Sequence, residues 1–351
     1  MNLLKINALY IIILILTLLI IFISLNNILK NFVVENYTGL STNSLIVEMK
    51  NNGYIIDEEN KTVKYCKNND NDCITKSYKK HFNDLEAIKL VKDKFKTSSI
   101  LIKNNIPVPK FAKIDSNNNV KNIINIMNDN SIYFPIVLKP IDGTFGIDVI
   151  TNIDNEKELN ESINSLKKKY KELMLETQIS GDCYRIFVFN NKVIDVIKRE
   201  KPYVIGNGIN SVNELIEERN KEQEKMGLFQ TKNVSNLFII KQGYTLDTIL
   251  EDKVKVYISN VINMHNGARI SRISLDTIPQ KNINMFINTN KYLNILCSGL
   301  DYLSEDITVE YDKNDSKILE VNGTPDTEIH TKINYNKDEE GFFKKVVNNI
   351  F

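Results

Sequence analysis

The hydrophobic positions of this chain change their spacing along its length, and each spacing predicts a different element. Residues 8–25 form an apolar run without a charged side chain. Such a run is near the lower end of the about 17–25 residues that span a bilayer. The run has no small-residue cleavage site after it, so a signal anchor is favoured over a cleaved signal peptide. We predict an N-terminal transmembrane anchor over residues 1–35.

Helical periodicity appears after this segment, in stretches that begin with capping signals. Asn83 and Glu86 have the spacing of a capping box, and apolar residues follow at helical period, which predicts one helix running to about Lys103. The same capping spacing at Ser211 predicts a further helix. Residues 156–169 predict an exposed helix whose lysines form a solvated face.

Short apolar runs between polar turns predict strands. Residues 136–138 predict a buried strand, and Asn190–Asn191 between two apolar runs predicts a tight hairpin. Residues 306–311 and 317–322 flank a polar turn and predict a second hairpin. The mixture of helices and many hairpins favours an α+β fold with largely antiparallel sheets.

Composition narrows the possible functions. The chain has 351 residues, a formal net charge of +1 and 42% hydrophobic residues. That length allows an anchor plus one large or two modest domains, and the near-neutral charge gives no reason to expect a nucleic-acid partner. The four cysteines fit no zinc spacing, and unbridged thiols in a reducing compartment are the simplest interpretation.

A lysine and a glycine-containing loop form the first chemical pattern. Lys139 ends the strand at residues 136–138, and Gly143, Thr144 and Gly146 follow it. A lysine there can reach a phosphate, and the glycines let backbone N–H groups approach phosphate oxygens. The pattern is not a Walker loop, and an ordinary surface hairpin remains the alternative.

Acidic and amide side chains form the second pattern. Glu320 and Asn322 are two residues apart on a predicted strand and therefore face the same side. Asp306 is expected across the hairpin from them. Three oxygen donors on one face suit Mg²⁺, which prefers oxygen ligands. The alternative is a solvated hairpin face, since acidic residues are common at surfaces.

Several short segments occur in an order that is informative as a whole. They are Asp93–Lys94 with Thr97, Ile106–Pro109, Phe134–Val149 (FPIVLKPIDGTFGIDV), Leu175–Arg185, Gly206–Asn220, and Leu319–Asn322 with Pro325. From about Leu40 onward the chain resembles the ATP-grasp family. The resemblance is to the ATP-grasp half of bifunctional glutamate–cysteine ligase/glutathione synthetase and to the ATP-grasp part of cyanophycin synthetase.

The resemblance implies a fold and its domains. Two α/β lobes are expected to clasp ATP. After the anchor, residues 36–90 would form a small region preceding the ATP-grasp domain, which would span residues 91–351. Residues 110–175 would be the lobe that covers ATP.

The resemblance also implies roles for individual residues. Nucleotide binding is expected from the phosphate lysines, the phosphate loop, the adenine hinge and the ribose ligand, namely Lys94, Lys139, Gly143, Thr144, Gly146, Glu176, Thr177, Gln178 and Asp182. The expected ligands of Mg²⁺, or of Mn²⁺ in its place, are Asp306, Glu320 and Asn322. Arg199 is the first candidate for stabilising developing charge and Arg185 the second, although a structural ion pair is as good an interpretation of Arg185.

The implied activity is that of an ATP-dependent carboxylate–amine ligase acting through an acyl phosphate. The expected partners are small-molecule carboxylate and amine substrates, such as an amino acid or short peptide, and the membrane. Neither a nucleic acid nor a particular oligomer is implied, and a homo-oligomer remains open. Because ATP is cytosolic, the catalytic domain is expected on the cytosolic side.

The chain departs from the family pattern on the substrate side. Asn207 replaces an aspartate, Ser259 replaces an arginine, and Asp326 replaces a glycine. These departures motivate an alternative, a catalytically degenerate nucleotide-binding protein anchored in a membrane. A structural protein that only shares the fold is a third interpretation. The lone His330 is expected to lie at the surface.

Overall fold

The computed structural model describes residues 49–50, 53–57, 62–67, 72–77, 83–143, 147–259, 262, 266–331, 333 and 341–349. Among these residues, no helix combines the length and the apolar character that a membrane crossing requires. The predicted anchor over residues 1–35 lies outside the described residues.

In the described part of the chain, the strands make up four sheets in which the paired strands are antiparallel. The strands are β1 (Ile55–Asp57), β2 (Thr62–Lys67), β3 (Asp72–Ser77), β4 (Phe111–Asp115), β5 (Ile136–Pro140), β6 (Ile150–Ile153), β7 (Glu172–Thr177), β8 (Asp182–Phe189), β9 (Lys192–Glu200), β10 (Tyr203–Ile205), β11 (Lys255–Tyr257), β12 (Arg269–Arg272), β13 (Cys297–Ser304) and β14 (Lys317–Asn322). The antiparallel α+β prediction is therefore confirmed.

Helices cover these sheets on selected faces. They are α1 (Leu85–Lys92), α2 (Lys94–Lys103), α3 (Val120–Asp129), α4 (Glu156–Leu166), α5 (Val212–Lys225), α6 (Asn236–Ile240), α7 (Gln280–Tyr292), α8 (Glu328–Thr331) and α9 (Phe342–Val347). A short 3₁₀ turn spans Leu275–Thr277.

The first lobe is a four-stranded sheet in the order β4-β7-β5-β6. Its alternating apolar residues, such as Leu138 and Leu175, belong to one core with Ile123 of α3 and Leu159 of α4. Because side chains alternate between faces along a strand, Lys139 and its neighbours of the same parity point away from those helices. This leaves one face of the sheet to build a site.

The second lobe is a five-stranded sheet in the order β12-β9-β8-β13-β14. Tyr184 and Tyr302 are paired in register and belong to a core with Phe286 of α7 and Leu101 of α2. The residues of the other parity therefore lie on the opposite face. Arg185 is one of them, and other charged residues of this face include Arg199, Asp301 and Glu320.

A smaller unit lies beside the second lobe. It contains the two-stranded sheet β10-β11 with α5 and α6, held by a core of its own that includes Val204, Val212 and Ile239. The hairpin sheet β1-β2-β3 precedes the lobes, and its register places Cys66 opposite Cys73.

The predicted single helix up to Lys103 is wrong in two respects. It is broken at Asp93, whose side chain caps α2 by accepting a hydrogen bond from Lys96 N at 2.9 Å. Its first residue is not capped by Asn83, because Asn83 is buried and bonds elsewhere. The capping pattern there was satisfied by a tertiary contact rather than by the helix.

Two other local predictions are confirmed, and one changes. The capping box of α5 is present, with Ser211 and Glu214 bonded reciprocally. The hairpin at Asn190–Asn191 is present, and both residues have positive φ. A two-residue turn needs this conformation to match the twist of the strands that it connects. The predicted strand over residues 306–311 is absent, and β13 ends before it, at Ser304.

Candidate nucleotide and metal site between the lobes

Lys94 joins the two lobes at the start of α2. Its backbone N–H donates to Ile141 O at 3.1 Å, just after β5. Its ammonium donates to Gly143 O in the loop of the first lobe and lies 3.5 Å from Glu320 Oε1 on the second. The side chain is nearly buried. Thus the predicted phosphate lysine, phosphate loop and metal ligand come together in space.

The second predicted lysine lies on the open face of the first lobe. Lys139 Nζ is 2.6 Å from Glu176 Oε2, and only 7% and 4% of these side chains are exposed. The contact arises because Glu176 is paired with Val137, two residues from Lys139 on the same face. The ammonium of Lys139, which is expected to bind a phosphate, is thus buried and neutralised by the carboxylate of Glu176.

The phosphate loop is described only in part. Gly143 is described and accepts the hydrogen bond from Lys94. Thr144 and Gly146, to which the resemblance gives phosphate contacts, lie outside the described residues.

The expected adenine hinge follows β7. Thr177 N donates to Lys110 O at 2.9 Å, and Gln178 N donates to Pro135 O at 3.1 Å. Both N–H groups therefore already have protein partners. Adenine would therefore have to bind to backbone groups of this segment other than the N–H groups of Thr177 and Gln178.

The structure corrects the position expected for the ribose ligand. Asp182 has the same parity along β8 as Tyr184, which faces the helix-covered core. Its carboxylate lies 2.5 Å from Lys198 Nζ, and Lys198 is itself paired in register with Tyr184. Asp182 is therefore on the opposite face of the sheet from Arg185 and Glu320.

Asp306, predicted as a metal ligand, was expected across the hairpin from Glu320, and the register of the strands contradicts that position. It lies after the end of β13, exposed, and its Oδ1 accepts hydrogen bonds from Thr308 N at 2.8 Å and Thr308 Oγ1 at 2.7 Å. These bonds lower the pKa of Asp306. The residue that lies opposite Glu320 is Asp301.

Asp301 also collects the two arginines proposed for catalysis. Arg185 Nε lies 3.1 Å from Asp301 Oδ1, and Arg199 Nη2 donates to the same oxygen at 2.8 Å. Burial tends to lower the pKa of Arg199, but Asp301 and Cys183 outweigh burial and raise it, so this guanidinium stays charged. Both predicted arginines are therefore at the site, held by an acid that the sequence analysis missed.

Cys183 lies beside this group without the character of a reactive thiol. Its Sγ accepts a hydrogen bond from Arg199 Nη2 at 3.1 Å. Burial raises the pKa of Cys183 above its ordinary value. A buried thiol with a raised pKa is a poor nucleophile, so Cys183 contributes packing.

The donors available for a divalent cation are Asp301, Glu320 and Asn322. In register, Asp301 lies opposite Glu320, and Gly299 lies opposite Asn322, so all three side chains share one face. Two carboxylates directly opposite each other repel unless a cation lies near them. Within the described residues no group of three or more His, Cys, Asp or Glu side chains could hold a metal. The set of two carboxylates and an amide fits a cation such as Mg²⁺, which takes further oxygen ligands from substrate phosphates.

His330 is not at the surface, as had been expected, but fully buried. Its Nδ1 lies 2.9 Å from Asp195 Oδ2, and Asp195 also forms an ion pair with Arg272 Nε at 2.9 Å. The rings of Phe187 and Phe342 pack against the imidazole. This cluster ties α8 to the second lobe.

Comparison with known proteins agrees with the fold. Residues 91–204 match the model of the RimK-like ATP-grasp domain. Cyanophycin synthetase of Geminocystis herdmanii is 27% identical over 253 residues, which cover 70% of this chain and 28% of that protein. The glutathione biosynthesis bifunctional protein GshAB of Clostridium perfringens is 24% identical over 250 residues, covering 69% of this chain and 32% of that protein.

A solved structure supports the same conclusion on the fold. A bifunctional glutathione synthetase from Pasteurella multocida superposes with a TM-score of 0.57 at 18% identity, covering 83% of this chain and 41% of that one. The chain therefore spans about a third of the length of the curated relatives it matches. The likeness establishes the fold of this part.

Proposed function

We propose, from the premise that residues 91–204 form a RimK-like ATP-grasp domain, that this chain is an ATP-dependent carboxylate–amine ligase. In the proposed reaction the γ-phosphoryl group of ATP passes to an oxygen of a substrate carboxylate, and ADP leaves. The amine of a second substrate then attacks the acyl carbon, phosphate leaves, and an amide forms.

One observation carries this proposal: a single ammonium, that of Lys94, contacts both the loop of the first lobe and Glu320 of the second. A triphosphate bound between the lobes would meet Lys94 and Lys139 from one side and the acidic strands from the other. Such a reaction requires alignment and charge neutralisation more than a nucleophilic side chain. The described residues provide these two requirements.

The acidic strands account for the metal that ATP-grasp ligases use. Asp301, Glu320 and Asn322 would hold Mg²⁺, or Mn²⁺ in its place, which neutralises charge on the ATP phosphates when bound.

The arginines act on the charge that develops during transfer. Arg199 and Arg185 hold donors on the same sheet face as Glu320, and their common partner Asp301 fixes them there. Guanidinium groups match the geometry of phosphate and carboxylate oxygens. Because they are already oriented, little reorganisation is needed when charge moves to the transferring group.

The test is an ADP-release assay on the full chain with amino acids and γ-glutamyl dipeptides, combined with hydroxylamine trapping of an acyl phosphate. We expect substrate-dependent ADP release and a hydroxamate product. Glu320→Gln should lower turnover by about a hundredfold or more, since metal sites lose 10–100-fold even from changes in outer-shell partners. Glu310→Gln, which alters a surface acid paired with Lys281, is the matched control and should retain turnover.

A different result would favour the catalytically degenerate alternative. If Mg-ATP raised the melting temperature but no substrate in the panel caused ADP release or hydroxamate formation, the ligase proposal would be rejected.

We also propose that the substrates are small amino acids or peptides.

We further propose that residues 8–25 anchor the chain in a membrane as a single-pass signal anchor, with the catalytic domain in the cytosol. The support for the anchor is the uncharged apolar run in the sequence. Carbonate extraction of the full chain should leave it in the membrane fraction, and a chain lacking residues 1–35 should be released. Proteolysis of the catalytic domain in sealed vesicles should occur only from the cytosolic side.

A further inference from the structure

A buried arginine without an acidic partner lies outside the site described above. Arg219 of α5 is only 6% exposed. Its Nη1 donates to Gln223 Oε1 at 2.6 Å and to Thr231 Oγ1 at 2.5 Å, and its Nη2 donates to Gly267 O at 2.5 Å. All of these acceptors are neutral, and the buried Nε has no hydrogen-bond partner. A buried charge is normally paired, because burial of an unpaired one is costly.

A second cation lies next to it. Arg269, at the start of β12, stacks on the ring of Tyr203 with 4.1 Å between its guanidinium carbon and the ring centroid, and its Nη2 donates to Tyr203 O at 3.4 Å. Its Nε is also buried and has no partner. Lys255 Nζ lies 4.0 Å from the centroid of the same ring. Two positive side chains, Arg269 and Lys255, therefore contact the ring of Tyr203.

The electrostatic consequences are visible at Arg219. Burial and, next, the charge of Arg269 lower the pKa of Arg219 to about 10, against a small opposing effect of Tyr203. No carboxylate contributes to this balance. Among the described side chains, none forms an ion pair with Arg219 or Arg269. Glu200 is opposite Arg269 in register without pairing with it, and its charge instead raises the pKa of Lys198.

The backbone holds this arrangement in place. Gly267 has φ +74°, and a Cβ at that position would lie 2.4 Å from Thr231 Oγ1. The glycine thus permits the close approach that places its carbonyl and the Thr231 hydroxyl on one arginine. The guanidinium of Arg219 is therefore held in one position by packing and hydrogen bonds, whereas a surface lysine is surrounded by solvent.

We propose that Arg219 and Arg269 form a binding subsite for a carboxylate group of the substrate, a group other than the one that is phosphorylated. The terminal N–H groups of Arg269, whose side chain is partly exposed, would donate to its oxygens, since carboxylates match guanidinium geometry. The bound anion would supply the negative charge that Arg269 and the buried Arg219 lack. The identification of this ligand as a substrate rests on the proposed ligase function. The prediction that the ligand is negatively charged rests on the two arginines alone.

The experiment measures anion binding to the full chain through its melting temperature at constant ionic strength. Glutarate serves as the carboxylate probe and inorganic phosphate as the competing anion. We expect a saturable rise with glutarate for the wild type and for Lys255→Gln, the matched charge control. The rise should be absent in Arg269→Gln, whose side chain is partly exposed, so folding is expected to survive.

Catalysis gives a second measurement. In Arg269→Gln, the KM for the carboxylate substrate found in the ADP-release screen should rise about tenfold or more, the order expected for loss of a charge-assisted hydrogen bond. The KM for ATP should remain unchanged. Stabilisation by Mg-ATP in this variant separates the subsite from the nucleotide site. If the wild type fails to bind Mg-ATP, the proposed function fails, and the glutarate comparison still judges the subsite.

Three results would overturn the proposal. They are an absent glutarate response in the wild type, an unchanged response in Arg269→Gln, and an equal response to phosphate that the same substitution removes, which would assign the pair to phosphate instead.

Discussion

Asp301 is the acidic residue on which both arginines of the site depend. Its single Oδ1 contacts Arg185 and Arg199, and its position across from Glu320 makes it the second carboxylate of the cation site. Its removal is therefore expected to affect both the proposed metal binding and the orientation of the arginines.

We expect Asp301→Asn to lower ADP release by about a hundredfold or more, because a carboxylate of the cation site is lost. Asp306→Asn, the matched change only five positions further along, should keep near-normal turnover because Asp306 caps its own turn. Steady-state ADP release and a melting curve for each variant make the comparison. Equal losses in both variants would restore Asp306 as a ligand.

The buried imidazole of His330 gives the protein a pH dependence. Burial lowers the pKa of His330 below its ordinary 6.5, although Asp195 acts in the opposite direction. With Nδ1–H donating to Asp195, protonation would place a second N–H at Nε2, which has no partner. The folded state therefore takes up this proton less readily than the unfolded chain does.

A group with a lowered folded pKa of this type stabilises above its unfolded pKa and loses that contribution as pH falls. We expect the free energy of unfolding to decline below about pH 6.5, with a slope of up to about 1.4 kcal/mol per pH unit. Urea titrations between pH 8 and pH 5 measure it. The decline over this range should be smaller in His330→Gln, and an identical decline there would assign it to other groups.

At this scale, spacing revealed some residues and not others. Glu320 and Asn322 were placed on one face because two-residue spacing on a strand is a local property. Asp306 was placed wrongly because strand register across a long turn depends on tertiary packing. Tyr302 fixes that register by packing against Phe286, and the sequence does not display this contact.

Asn83 shows how one element is fastened to another. Its Nδ2 donates to Cys297 O at 2.6 Å and Gly323 O at 2.7 Å, and its Oδ1 accepts from Leu296 N at 2.8 Å and Cys297 N at 2.9 Å. One buried amide thus pairs four backbone groups around β13 and β14. It holds the segment before α1 against the strands of the site.

We expect Asn83→Ala to lower the free energy of unfolding by about 3 kcal/mol, because buried backbone groups lose their partners. Asn104→Ala, which removes one local bond from Asn104 Nδ2 to Ile100 O at 2.8 Å, is the control and should cost about 1 kcal/mol or less. Urea unfolding of both variants tests the difference. A similar small loss in both would show that the four contacts contribute little.

The two capping patterns explain why elements were predicted unevenly. Ser211 and Glu214 satisfy only each other and the first turn of α5, so a local rule describes them. Asn83 obeys the same spacing but bonds to residues more than two hundred positions away. Helix existence was readable in both cases, whereas the break at Asp93 was not, because the competing contact is not local.

In the whole molecule, Lys139 and Glu176 form a buried ion pair in which each charge compensates the other. Removing the ammonium would leave the carboxylate buried without a partner, a change that typically costs about 3–5 kcal/mol.

We expect Lys139→Met to lower the free energy of unfolding by an amount of that order. The double variant Lys139→Met/Glu176→Gln should recover most of it, because no charge is then left unpaired. Urea unfolding measures both. If the single variant is as stable as the wild type, then Glu176 reaches solvent or another cation, and loss of activity in Lys139 variants would report on binding alone.

The global arrangement was predictable in class but not in detail. Hairpins and mixed helices gave the antiparallel α+β class, and the resemblance to known ligases gave two lobes with a cleft. The contact between Lys94 and Glu320 joins residues 226 positions apart, and the cluster at Arg219 joins three separate segments. Periodicity carries no information on such pairs.

The ammonium of Lys94 contacts both lobes at the place where a nucleotide is proposed to bind. Its contacts with Gly143 O and Glu320 are contacts that an incoming triphosphate and its cation would have to replace. If nucleotide binds here as proposed, it exchanges these internal contacts for external ones, and its affinity reflects the difference in free energy between the two sets. After phosphoryl transfer, ADP carries less charge than ATP, and the return of Lys94 to Gly143 O and Glu320 would help to release it. Lys94 would thus favour product release over tight binding of ADP.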